Sequence, residues 1–579
     1  MKKITLPKIL LIGFYIVFTI LTLGLLILSI SRPQNYLSSA RMGIQTVIFA
    51  TLFVSIVFLW KRFSPYILSS MKVFLPVAAA YWILLYLISV IHGNAYHVVG
   101  DYEILYISAL EMADGQELSF AHYFMTYGNN VGPMLLLAGI FKLSHLVGLN
   151  EFYPALFLST LTVIGSIWAV GELLSDGEIF FPVNEMNCIF AGSKDCVFAG
   201  EKNRSKNMRI PVLVFTAFCL PLYVFTGAFY TDTLSFGLGV IAVALMKLSF
   251  RKKNAWWLMI PAGVVTVLGA VWKITALIFI IAVGIVWLIS LLSGKKENVK
   301  KKEKKTDIKE GIIEENTEDN KVEKGAENKE TEGTIEEKYG NKIWKKTAVY
   351  ALSVAFFAIL VFVVFHSFPI YKDAKQYSNP TTAWLALGMR GNGSYSENVE
   401  FSDAVNELSS KEEKSAYIKA YMKEHASEAF SLNHILSKAQ NNFAGGTFTC
   451  SDFTVNTSGH SILWELMDPG GRYYYGASGY AFSYVAMMYL LFFIGGICAL
   501  IRLFKGKNEE QNTGSFTGVC GLPFMKVAAD LSFFGLFLFL MIWESNNRQL
   551  YNQLPVMILS TFGSAELLLS GFNYAIIKK

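Results

Sequence analysis

The chain has 579 residues, 53% of them hydrophobic, and sets 50 Lys and Arg against 44 Asp and Glu for a formal charge of +6. The apolar residues gather in runs of roughly 18–23, enough to cross a hydrocarbon core of about 30 Å as a helix, and the alternating segments of an outer-membrane barrel are absent. A soluble multidomain chain is excluded, as is a nucleic-acid partner, for which no concentrated basic face exists; the expectation is an all-α integral membrane protein in contact with lipid.

The first run, 9–30, follows Lys2, Lys3 and Lys8 and precedes Arg32-Pro33. It is longer than a signal-peptide core and reads as a retained span. Further runs lie at 43–60, 72–92, 131–147, 153–174, 210–229, 231–249, 256–271, 274–293, 347–367, 481–503, 525–545 and 553–572. If every run crossed, the basic stretches 202–206 and 251–253 would fall outside, against the positive-inside bias. The run 131–147 is short, opens with Gly132-Pro133 and carries Lys142 and His145 in its last turns. Laid along the outer surface as an interfacial helix, it returns every basic loop to the cytoplasm. About twelve spans remain, with both ends inside.

The chain then divides into two extra N-terminal spans (1–70), a transmembrane module (71–293) with an outer loop at 93–152, and a Lys- and Glu-rich segment (294–346) expected to be a disordered cytoplasmic linker. A span (347–367), a large outer loop (368–480) and the C-terminal spans (481–579) follow. The loop 368–480 is rich in aromatics, is amphipathic over 411–434, and reads as a small folded cap. Cys188 and Cys196 match no strong zinc spacing.

The informative chemistry sits on the outer face. Asp101 and Glu103 open a helix after the third span, where a carboxylate either caps free N–H groups or serves as a general base. Sugar transfer to a hydroxyl outside the membrane needs such a base, and cations to hold an anionic leaving group. Nucleotide sugars are absent outside the cell, so the donor would be a sugar on a polyprenyl phosphate. Lys273 and Arg548 break the positive-inside pattern in outer turns and suit the phosphate, or else snorkel. Asp232, in Tyr230-Thr231-Asp232-Thr233, is a supporting acid or a helix cap. Trp384 and the turn Gly388–Tyr395 stack on a sugar or pack the cap. His92, His97 and His122 lack metal-binding spacing, so a divalent metal is disfavoured and no cofactor is expected.

An acid soon after an early span, then Ala109-Leu110-Glu111-Met112-Ala113-Asp114-Gly115, the turn Tyr127-Gly128-Asn129-Asn130, an interfacial helix and Asn150-Glu151-Phe152 resemble the first outer loop of C-fold glycosyltransferases. Within that superfamily the chain looks most like the bacterial relatives of the protein O-mannosyltransferase and aminoarabinose-transferase group. The Asp232 and Lys273 turns, the ending Arg548-Gln549-Leu550-Tyr551 with Pro555, and Trp384-Leu385-Ala386-Leu387-Gly388-Met389 resemble it also. The resemblance implies two juxtamembrane helices in the first outer loop and Asp101 as the catalytic acid. It further implies Lys273, Arg548 and Tyr551 around the donor phosphate, and Tyr127, Asn129, Asn130 and Trp384 on the substrates. Two features depart from it: the two extra N-terminal spans, and Asp-Tyr-Glu in place of an Asp-Glu doublet.

The expected function is inverting transfer of a sugar from a polyprenyl-phosphate donor to an extracytoplasmic glycan or protein, at a bacterial plasma membrane. The alternatives are a lipid-linked-sugar flippase, which calls for ionisable residues near the bilayer midplane and an internal repeat, and a glycan polymerase of another fold, with its essential acid in the late outer loop.

Overall fold

The computed structural model describes residues 5–31, 38–63, 70–92, 100–175, 208–252, 254–292, 327–454, 461–505, 519–520 and 522–577; the side chains of 92, 327–343 and 572–577 fall outside that description. Cys188, Cys196, His97, the basic stretch 202–206 and most of the segment 294–346 lie outside the described residues. What is described is helical, without a strand. Ten helices are long and apolar enough to cross a membrane, which makes this a multi-pass membrane protein.

Two of the expected spans are not among the ten. The run 210–229 breaks into Arg209–Ala217 and Leu220–Phe225. Pro221 lacks the N–H that would continue the ladder, and Cys219 has extended backbone (ψ 93°). The run 256–271 is a single 3-10 turn leading into Met259–Trp272, 14 residues long. The linker expectation also shifts. A helix begins at Glu327 and runs through the span to His366, because Glu and Lys are good helix formers and a formed span supplies the nucleus.

Polar side chains inside the spans largely satisfy themselves. Thr19 and Thr22 donate to Tyr15 O and Phe18 O at 2.6 and 2.9 Å, and Thr46, Thr216 and Thr561 donate four residues back in the same way. Back-bonding of this kind removes the unpaired hydroxyl that apolar surroundings penalise. A fully buried ionic cluster also lies within a span. Lys526 and Asp530, both buried, pair at 2.5 Å in Phe524–Ile542, and Tyr15 OH and Ser560 Oγ donate to the same carboxylate. The hydrophobic run 525–545 conceals this pair.

The first outer loop holds two helices, Asp101–Asp114 and Val131–Leu146, packed side by side and running in the same direction, with their C-terminal ends together. Gly115, in the left-handed region (φ 73°), ends the first helix. His145 bridges Asp114 (3.0 Å) and Glu151 (3.2 Å), and Lys142 Nζ donates to Ala113 O at 2.8 Å. These contacts tie the C-terminal ends of both helices to the start of the Phe152–Leu174 helix. At 16 residues, Val131–Leu146 is not among the ten candidate spans.

The opposite end of the bundle is basic. Lys247 Nζ donates to Glu172 O and Ser175 O, both at 2.7 Å, and Arg209 and Arg251 pair with the buried Glu172. Lys346 Nζ reaches Lys252 O at 3.1 Å. Cations on helix C-terminal carbonyls complement both the free oxygens and the helix dipole.

Candidate functional site

Asp101 is the first residue of its helix, behind Gly100 at φ 88°, yet no side-chain hydrogen bond caps that end. Its carboxylate is instead exposed and takes one phenol on each oxygen: Tyr123 OH at 2.9 Å and Tyr230 OH at 3.2 Å. Asn130 Nδ2 donates to the Tyr123 phenol oxygen Oη at 2.6 Å, and Asn129 Nδ2 donates to Asn130 Oδ1 at 3.1 Å. The turn singled out for substrate contact thus stands behind Asp101 as a relay that fixes its orientation. Burial pushes the Tyr123 and Tyr230 phenols well above their ordinary range, the nearby Asp101 adding to it, so both remain donors. Glu103 has no polar partner among the described residues.

Tyr230 links this acid to the cations. The Arg548 guanidinium lies 5.5 Å from the Tyr230 ring centroid and 5.9 Å from that of Phe453, a cation–π arrangement on two faces. Arg548 Nε contacts Asn546 Oδ1 at 3.3 Å, and Nη1 faces Asp452 at 3.9 Å, beyond hydrogen-bond reach. Its Nη atoms therefore have no hydrogen-bond acceptor among the described residues, although the side chain is only 19% exposed. Two residues beyond Tyr230, the buried Asp232 forms an ion pair with Lys273.

The Lys273 and Arg548 turns are stitched together. Asn552 Nδ2 donates to Ser235 Oγ (2.9 Å), and Gln553 Nε2 donates to Thr275 O (2.8 Å). Tyr551 sits beneath as part of an aromatic floor. It is fully buried, stacked on Phe225 at 4.0 Å, and its hydroxyl has no hydrogen-bond partner among the described residues.

The cap closes over this cluster. Trp384 and Tyr127 have ring centroids 5.9 Å apart and line a small cleft with Phe401, Ser402 and Asn379. The glycine-rich turn is a docking element. Ser545 N donates to Gly393 O at 2.7 Å, and a Cβ at Gly388 would meet Trp543 O at 2.5 Å. Gly391 and Gly393 have φ of 60° and 75°, which favours glycine. Lys438 Nζ donates to Gly388 O at 2.5 Å, and burial pulls this ammonium down to about 8.

Four residues without an assigned role in the sequence reading belong to this cluster: Tyr123, Tyr230, Asp452 and Glu544. Burial pushes the Glu544 carboxyl up to about 7; the Asp101 charge adds to this, and Arg548, Lys273 and Lys438 oppose it. Glu544 and Tyr230 flank residues that had drawn attention, so proximity in sequence was the available signal. Asp452 carried none. His122 is placed in the short Ala121–Thr126 helix, its backbone carbonyl accepting from Thr126 Oγ1.

No protein-family model, no curated protein and no solved structure matches the chain.

Proposed function

We propose that the chain is a membrane glycosyltransferase of the C-fold type, about twelve spans long, with the Asp101–Arg548 cluster on the extracytoplasmic face of a bacterial plasma membrane. The twelve-span count takes 208–229 and 256–272 as broken or short crossings, which keeps the basic bundle end in the cytoplasm. The helices Asp101–Asp114 and Val131–Leu146 would be the two juxtamembrane helices, and 368–480 the cap.

One observation carries the reading. An oriented, solvent-accessible carboxylate stands one tyrosine ring away from a guanidinium with unfilled N–H groups. In the proposed reaction the acceptor oxygen attacks the anomeric carbon and its proton passes to Asp101. The bond from that carbon to the phosphate oxygen breaks, and the polyprenyl phosphate leaves as an anion. Arg548 presents a fork suited to two phosphate oxygens. Lys273, partly neutralised by Asp232, contributes as a point charge. Attack opposite the leaving group inverts the sugar.

The test is transfer by the purified protein in proteoliposomes, using a panel of radiolabelled polyprenyl-phosphate sugars. Asp101→Asn should lower turnover by about 10²–10⁴-fold, and Arg548→Ala should raise the KM for the donor. Asp452, the late-loop acid, provides the contrast. Loss of turnover in Asp452→Asn with full turnover in Asp101→Asn would remove the base assignment and favour a polymerase of another fold.

A further inference from the structure

The cap helix Leu432–Phe443 has its polarity reversed. Its inward face holds His434, Lys438 and Asn442, all buried, while Leu432, Ile435 and Leu436 point outward at 69%, 40% and 44% exposure. Phe430, just before the helix, is 83% exposed. The inward polar groups all have partners. His434 contacts Gly391 O and Gly388 O at 2.8 and 3.1 Å, Lys438 Nζ donates to Gly388 O, and Asn442 Oδ1 accepts from Asn546 N at 2.9 Å. In water, this arrangement would leave its apolar stripe with nothing to cover it.

The stripe continues into the membrane-spanning core. Leu432, Ile435, Leu436, Ala439 and Phe443 follow the spacing of one helix face, and Ala439 and Phe443 are buried. Phe443 packs on Phe533 and Phe537, with centroids 5.9 and 5.4 Å apart, and its carbonyl accepts from Tyr489 OH at 2.9 Å. Phe533 lies about 13 Å of helix below Ile542, the cap-side end of its span, at 1.5 Å per residue. The Phe443 ring thus reaches below the end of that span, while the preceding Asn442 pairs with Asn546 just beyond Ile542, so the buried end of the cap helix sits at the outer edge of the hydrocarbon. Leu436 and Leu432 stand about 10 and 16 Å back along the helix, and a polar face turned to the cap with an apolar stripe opposite suits an amphipathic helix lying in the bilayer interface.

We infer that the Leu432–Phe443 helix is inserted in the outer leaflet, with Phe430, Leu432, Ile435 and Leu436 against lipid acyl chains, so that the cap is anchored to the bilayer as well as to the bundle. Its polar inner face grips the Gly388–Gly393 turn and the Asn546 segment. The anchor therefore holds the cap at the level of the outer leaflet. The inference rests on packing and polarity and stands apart from the transfer reading.

The test uses the unmodified full-length protein in proteoliposomes of phosphatidylcholine carrying a diazirine on its acyl chain, photolysed and mapped by peptide mass spectrometry. Leu538 and Ile542, exposed on a span, serve as the lipid-facing reference, and Tyr417, exposed on the cap, as the aqueous one. Adducts on Phe430–Leu436 at a yield within about threefold of Ile542 are expected, with none on Tyr417. Adducts at Leu538 and Ile542 with none at Phe430–Leu436 would overturn the inference, whether water or a protein partner covers the patch. As a second arm, Leu432→Glu/Leu436→Glu should cut labelling of Phe430 at least fivefold, by a rough expectation from the depth-dependent penalty on charge, and leave Ile542 unchanged. Unchanged labelling of Phe430 in that variant would also count against the anchor.

Discussion

A carboxylate that is to take a proton must be held in one orientation while keeping lone pairs free. An ionised Asp offers about four acceptor sites, and the two phenols on Asp101 occupy one on each oxygen. Tyr123→Phe should release one oxygen and leave Asn130 Nδ2 without its acceptor. Turnover is expected to fall about 10- to 100-fold, following the ~1.5–3 kcal/mol of a hydrogen bond to a charged group, with the donor KM little changed. Glu544 gives a pH prediction. The folded protein holds its proton more tightly than the unfolded chain does, with a pKa of about 7 against 4.5. The stabilisation from this group is therefore fully present below about pH 4.5 and is lost as pH rises through about 7. Glu544→Gln should flatten that part of the dependence in thermal-melt midpoints measured from pH 4.5 to 8; an unchanged slope would refute the assignment. Asp101, Asp232, Lys273 and Arg548 were legible in the sequence because charge in an outer turn of a hydrophobic chain is conspicuous. Tyr123 and Tyr230 were not, because a tyrosine near a membrane surface is ordinary and only its partner gives it a role.

The elements show where reading by hydrophobic run succeeds and where it fails. Nine of the ten candidate spans fell within about four residues of their expected bounds; Tyr474–Lys505 began at 474 where 481 was expected, and Thr231–Arg251 is interrupted between Leu234 and Leu238. The run 210–229 could not be told from an intact span, since hydropathy is blind to the missing N–H of Pro221. The cap helix Leu432–Phe443 was also obscure. Its apolar stripe, split between protein and the surface, does not resemble the single buried face of a soluble helix. The glycine-rich turn could be seen but not assigned, because Gly388 answers to a contact with Trp543 far along the chain. Gly388→Ala should push the turn off the Trp543 carbonyl. Transfer activity is expected to drop at least tenfold, with faster protease cleavage in 388–425 and an intact membrane domain; unchanged cleavage and activity would show that the turn tolerates the methyl group. The tenfold figure is a rough scale for a site loosened by about 1 Å.

At the scale of the molecule, the buried Lys526–Asp530 pair joins the first span to the C-terminal ones through Tyr15 and Ser560. Removing one partner strands the other charge, so Lys526→Met should destabilise the protein by about 3–5 kcal/mol. Lys526→Met/Asp530→Leu should recover most of that loss in detergent melts; a double variant as unstable as the single would argue that the pair is needed for more than mutual neutralisation. The two ends of the bundle differ in kind. One gathers Asp101, Asp232, Lys273 and Arg548, and the other sets Lys247 and Lys346 on helix carbonyls. The proposed function depends on which end faces outward. Gln116→Cys, exposed just after the Asp101–Asp114 helix, and Lys252→Cys, exposed at the basic end, report this directly with a membrane-impermeant maleimide on intact cells. Labelling at 116 without lysis and at 252 only after permeabilisation is the predicted result. Labelling at 252 in intact cells, with 116 protected until lysis, would contradict the account.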